Sequence, residues 1–152
     1  MARKLKLAFS GFPDEVVVNL LEDEEPTCSA MIWDELKEPV KLWLSHTTST
    51  GDYILARGRP DREPKATGTQ ASPLGEKKTK HLSNLGQGAI VYCGNKFIAI
   101  NYGPDDTEPV AAPGPIVARA VDLDKIYRAG LYVWDQHKKS KLVTVMLSRM
   151  EG

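Results

Sequence analysis

The chain has 152 residues, 41% of them apolar and 26% charged, and its 20 Lys and Arg balance 20 Asp and Glu. That length suits one domain with a real core, and the composition is that of a folded globular protein rather than a disordered one. Zero net charge gives no bulk pull toward nucleic acid or anionic lipid, and no apolar run nears the ~20 residues of a membrane-spanning helix.

Met1 to Leu7 is basic, with no continuous apolar stretch behind it. No signal peptide is expected, and the expected location is the cytoplasm. Cys28 and Cys93 are too few for a disulfide framework and are expected as reduced thiols. The net charge conceals blocks of opposite sign. Residues 10–36 hold eight acids and no base, whereas residues 57–80 sum to +4. Such blocks can cancel within one fold or meet a second copy, which gives modest support to self-association.

In chain order, Arg3 to Phe9 alternates, with Leu5, Leu7 and Phe9 on one face, and predicts a half-buried strand. A Ser-Gly-Phe-Pro-Asp turn leads to a second strand, Glu15 to Leu21, in a hairpin. Pro26 opens a helix, since its missing N–H would be unpaired at a first helical position anyway. Cys28, Ile32 and Leu36 give that helix an apolar face, and it is expected to stop before Pro39. Val40 to Ser45 alternates again. The polar turn from His46 to Asp52 follows, and then a strand from Tyr53 to Ala56. Residues 58–84 form a long polar loop in which no helix is expected. Ala89–Cys93 and Lys96–Tyr102 flank the tight turn at Gly94-Asn95, and Gly103-Pro104 is expected to end the second of them. A stiff, proline-rich connection precedes a strand at Ile116–Val121. Asp122 caps a helix running to about Lys139. Gly130 costs that helix roughly 1 kcal/mol, which leaves a strand at 131–135 as an alternative. Lys141 to Ser148 is the last strand.

The run Val16-Val17-Val18-Asn19-Leu20-Leu21-Glu22-Asp23-Glu24-Glu25-Pro26-Thr27-Cys28 resembles the opening of a cyclophilin. The chain is closer still to an uncharacterised group of bacterial proteins with a cyclophilin-like fold. That likeness rests on the acidic-Pro-Thr-Cys helix start, on the His46…Gly51-Asp52 turn, and on Gly86-Gln87-Gly88-Ala89-Ile90-Val91-Tyr92 paired with Phe97-Ile98-Ala99-Ile100-Asn101-Tyr102-Gly103. The resemblance implies a mainly β, closed antiparallel cyclophilin-like barrel of about eight strands with two capping α-helices, in a single domain spanning 1–152. It does not imply prolyl isomerase activity. True cyclophilins carry an Arg near a Phe-His pair, followed by Phe-Met-x-Gln-Gly-Gly-Asp, and residues 46–59 contain no such run.

His46, with Asp52 six residues on, is the first candidate for general base chemistry, the carboxylate fixing the imidazole tautomer. A histidine that only caps the turn is the alternative. Trp43, Tyr92 and Tyr102 are apolar rings with polar tips, of the kind that line pockets, and each could equally be core. Arg119 sits in an apolar strand and either binds a ligand carboxylate or pairs with an acid such as Glu108. The three histidines have no ligand spacing, so no metal and no cofactor is expected. No Gly-x-Ser-x-Gly elbow, Walker loop or Gly-x-Gly-x-x-Gly is present. The basic loop lacks interleaved aromatics, so no nucleic-acid partner is expected.

The leading expectation is a protein that binds, or acts on, a small polar molecule in a barrel-surface pocket beside the His46–Asp52 turn, walled by Trp43, Tyr92, Tyr102 and Arg119. A prolyl isomerase or peptide-binding module is the rival. A structural homo-oligomer subunit is the third reading.

Overall fold

A computed structural model describes residues 3–58, 75, 80–106, 108 and 110–150. Eight strands are present: β1 (Lys4–Phe9), β2 (Glu15–Leu20), β3 (Val40–His46), β4 (Gly51–Arg57), β5 (Ala89–Gly94), β6 (Phe97–Asp106), β7 (Ile116–Ala120) and β8 (Thr144–Arg149). Two helices, α1 (Pro26–Glu35) and α2 (Leu123–Lys138), join them. The strands close into an antiparallel barrel in the order β1-β2-β7-β5-β6-β4-β3-β8. Closure removes the unpaired edges that an open sheet would present.

The alternation in the sequence becomes the inside and outside of this barrel. Leu5, Leu7 and Phe9 of β1, Val16, Val18 and Leu20 of β2, and Leu42 and Leu44 of β3 all lie in one buried core. β5 and the first half of β6 are apolar at nearly every position because both of their faces are covered. On the outer side, Tyr53, Val91 and Ala99 pack against Leu82, Leu85 and Ala112 from the flanking connections in a second cluster.

The helices close opposite ends of the barrel. Pro26 opens α1 as expected, and Cys28 and Ile32 are buried in the core. The Glu35 carboxylate accepts the Tyr92 hydroxyl at 2.8 Å and the Lys96 N–H at 2.9 Å, which ties α1 to the β5–β6 turn. At the other end, the Asp122 carboxylate accepts the Lys125 N–H at 3.0 Å and starts α2. Ile126, Ala129 and Val133 of α2 are buried.

Three details differ from the expectations. Leu82–Asn84 forms a 3₁₀ turn within the expected polar loop; residues 59–74 and 76–79 of that loop lie outside the described residues. β8 begins at Thr144 rather than Lys141. β6 does not stop at Gly103-Pro104 but continues to Asp106. Its pairing with β4 is irregular there: Tyr53 faces Asn101 while Gly51 faces Asp106, so the residues between bulge out opposite Asp52. A bulge is where a strand tolerates a proline that lacks the ladder N–H. As expected, α2 runs unbroken through Gly130, which removes the strand alternative at 131–135.

Candidate functional site

Along β3, Leu42, Leu44 and His46 share the inward face, so His46 ends the strand under α2. The ring is half-buried, with the Trp134 ring centroid 4.6 Å away and that of Tyr102 5.4 Å away. Nδ1 lies 2.6 Å from the Thr47 carbonyl oxygen, and Nε2 lies 2.6 Å from the Tyr102 hydroxyl. A carbonyl only accepts, so Nδ1 carries a proton. In the neutral ring, Nε2 therefore accepts from Tyr102.

Tyr102 is 1% exposed and comes from the start of the β6 bulge. Its ring lies against the backbone of α2 at Gly130, where any side chain would collide with it. The glycine that weakens the helix in sequence terms is thus what admits this ring. Asp52, on the facing strand, interacts with the same hydroxyl. Its Oδ2 also accepts the Asp105 N–H at 3.2 Å, and the space it occupies is left open by the missing side chain of Gly103. His46 and Asp52 lie at the same end of the barrel, where His46 bonds the Tyr102 hydroxyl and the Asp52 charge acts on both groups. The tautomer is set by the Thr47 carbonyl rather than by the carboxylate.

Electrostatics follow from this packing. Burial lowers the His46 pKa most; the Thr47 hydrogen bond raises it, His137 lowers it, and Asp52 raises it. Burial raises the pKa of Tyr102, and so do the charge and hydrogen bonding of Asp52. Asp106, at the end of the bulge, is pushed up to about 6 by burial and by the Asp52 and Glu108 carboxylates. Both its oxygens are buried without a hydrogen-bond partner among the described residues, as is the hydroxyl of Tyr53. Burial likewise pushes the Cys93 thiol up to about 12, so it is no activated nucleophile.

The remaining candidates are spread around the barrel. Glu108 accepts from Thr50 Oγ1 at 2.9 Å and Ser49 Oγ at 3.2 Å, so it belongs to the β3–β4 turn. Tyr92 is at the far end, held by Glu35. Arg119 lies in register between Asn19 of β2 and Ala89 of β5, with its guanidinium beside Gly86. Trp43 faces outward on β3. There, with Leu44, Ser45, Leu55, Arg57, Gly58 and Leu142, it lines an open groove of about 450 Å³. The Lys41 ammonium stands 5.4 Å from the Trp43 ring centroid. Sequence reasoning counted Arg57 in the basic stretch 57–80 and gave it no place in the expected pocket. The signal for its place in the groove is the period of two that sets Leu55 and Arg57 on the outer face of β4.

Among the described residues, no group of three or more His, Cys, Asp or Glu side chains could hold a metal ion. No helix among them is long and apolar enough to cross a membrane.

No protein-family model and no curated protein matches the chain. Solved structures do. McbB, determined in complex with tryptophan, has a TM-score of 0.77 at 18% identity, over 97% of this chain and 45% of McbB. The chain therefore spans less than half the length of that protein. The hypothetical protein AF2241 from Archaeoglobus fulgidus has a TM-score of 0.57 at 19% identity, over 98% of this chain and 95% of its own. The Mimivirus cyclophilin has a TM-score of 0.60 at 8% identity, over 98% and 89%. At these identities the likeness is one of fold, and it agrees with the observed topology: a closed eight-stranded antiparallel barrel with two helices, of the cyclophilin-like kind.

Proposed function

We propose that the protein binds a small carboxylate with a flat apolar body in the groove on the outer face of β3 and β4. The observation that carries this reading is the groove's lining. Trp43, Leu55 and Leu142 supply apolar walls, and Arg57 is the cation among them. A guanidinium grips a carboxylate through two parallel N–H donors, and an aromatic wall stacks a planar ligand. The tryptophan bound by McbB, a fold neighbour, supports an aromatic amino acid as the first ligand to try. The expected pocket beside the His46–Asp52 turn shares only Trp43 with this groove.

Calorimetric titration tests the reading with L-tryptophan and with tryptamine, which lacks the carboxylate. The expected outcome is binding of L-tryptophan at least about tenfold tighter, the worth of a charge-assisted hydrogen bond. Arg57→Ala should erase that preference, and Trp43→Ala should weaken both ligands. If neither ligand binds at millimolar concentration, or if Arg57→Ala leaves the preference intact, the groove is not the site.

A further inference from the structure

Strand register fixes the chemistry that the groove presents. On the outer face, Trp43 of β3 stands directly opposite Arg57 of β4, and Ser45 directly opposite Leu55. Opposite residues start about 5 Å apart at Cβ, so the indole and the guanidinium rise side by side. Lys41, two residues before Trp43, is on the same face of β3 and is exposed, with its ammonium 5.4 Å from the indole centroid. The indole therefore has one cation beside it on β3 and another on β4.

Among the described residues of the groove, no acid offsets these two charges. β3 and β8 contain no Asp or Glu, and the one acid of β4 is Asp52, five residues from Arg57. At ~3.3 Å per residue that is roughly 16 Å along the strand. β3 runs between β4 and β8, and β4 between β3 and β6. The carbonyls of both strands thus point along the sheet into the ladders rather than out into the groove. Ser45 Oγ is the one side-chain acceptor among the described lining residues.

Resting on the groove as the binding site, we propose that Lys41 and Arg57 make it selective for aryl carboxylates that carry no ammonium, with Lys41 the residue that turns the amino group away. A carboxylate gains from both cations, from Arg57 through two parallel N–H donors and from Lys41 as a point charge. An α-ammonium on the same ligand gives up water and meets two like charges, with one hydroxyl to accept its N–H groups. Selectivity of this kind comes from the repulsive element as much as from the attractive one. An arylalkanoate or an aryl 2-oxo acid fits best. The matching amino acid binds below it, and the amine, with its ammonium alone, below both.

The test is calorimetric titration with L-tryptophan and with 3-indolepropionate, which share ring, chain and carboxylate and differ in the α-ammonium. 3-Indolepropionate is expected to bind about fivefold tighter, the upper worth of one exposed charge contact. The ratio should fall toward one as salt rises to 1 M, where the Debye length is ~3 Å. Lys41→Glu, at an exposed position, should bring L-tryptophan level with 3-indolepropionate or ahead of it, because a carboxylate there pairs the ammonium. L-Tryptophan binding the wild type as tightly as 3-indolepropionate, or a ratio that Lys41→Glu leaves unchanged, overturns the selectivity; the groove still stands if Arg57→Ala weakens both ligands. If neither ligand binds, or if Arg57→Ala leaves both affinities unchanged, the groove itself is not the site and the selectivity falls with it.

Discussion

At Asp106, both carboxylate oxygens are buried without a hydrogen-bond partner among the described residues, and the Asp52 and Glu108 carboxylates act on it. Burial and like charge both disfavour the ionised form, which is why its pKa is raised from 3.8 to about 6. The consequence for stability runs opposite to that of a salt-bridged carboxylate. The folded state holds the Asp106 proton more tightly than the unfolded state does, so ionising it destabilises the fold. That penalty is absent below the unfolded value of 3.8, grows through about pH 6, and is constant above. Asp106→Asn keeps the shape and removes the charge. Urea denaturation at a series of pH values should therefore show the variant gaining on the wild type between pH 4 and pH 6, the advantage then levelling off. A gap that shrinks as pH rises would show that Asp106 is ionised and favourably paired in the folded protein. No periodicity in the chain hints at this residue's position. Asp105-Asp106 reads as loop after Gly103-Pro104, and only the continued strand carries it into contact with the β3–β4 turn.

On the scale of elements, α2 and the β6 bulge depend on each other through one missing methyl group. A Cβ at Gly130 would sit inside the Tyr102 ring. Replacing Gly130 with Ala gains roughly 1 kcal/mol of helix propensity. It also forces a fully buried ring off its site, and such overpacking costs about 1–3 kcal/mol. The packing term should win, so Gly130→Ala is expected to lower the urea midpoint and to shift the His46 ring resonances, since Tyr102 holds His46 Nε2. A variant as stable as the wild type, or more so, would mean that the ring moves aside freely. The same pair marks the limit of the sequence reading. The periods of β1, β2, β3 and α1 were legible because each has one wet face and one dry face. Gly130 read as a weakness because propensity weighs a residue alone, whereas its reason lies in another element. His46 and Asp52 could be placed at one end by their spacing across a turn. Tyr102 could not be placed beside His46, because β6 lies beside β4 only through a pairing across the long connection and the β5–β6 hairpin. A one-dimensional pattern carries no signal for that.

For the whole molecule, the question is where the charge blocks meet. The acidic block at 10–36 finds bases within its own chain. Arg3 Nε lies 2.7 Å from Glu22, Lys6 Nζ 3.5 Å from Glu15, and Arg128 Nη1 3.3 Å from Asp14. Glu25, 2% exposed at the start of α1, lies against Gly75 of the long connection, as does Cys28. The three ion pairs cancel part of the block inside one molecule, and self-association is the other outcome that the blocks suggest. The two differ in how salt acts. Each partly exposed pair is worth about 0.2–1 kcal/mol and weakens as the Debye length contracts from ~10 Å at 0.1 M to ~3 Å at 1 M. Pairs inside one chain should therefore make the melting temperature fall with salt by a few degrees, on the order of 2–4 °C per kcal/mol for a domain of this size. That fall should be the same at every protein concentration, because no association equilibrium is involved. Pairs between copies would instead make the melting temperature rise with protein concentration, and the mass measured by light scattering would drop as salt is added. Melting curves at two salt and two protein concentrations separate the cases. The ion pairs already closed within one barrel lead us to expect dependence on salt alone.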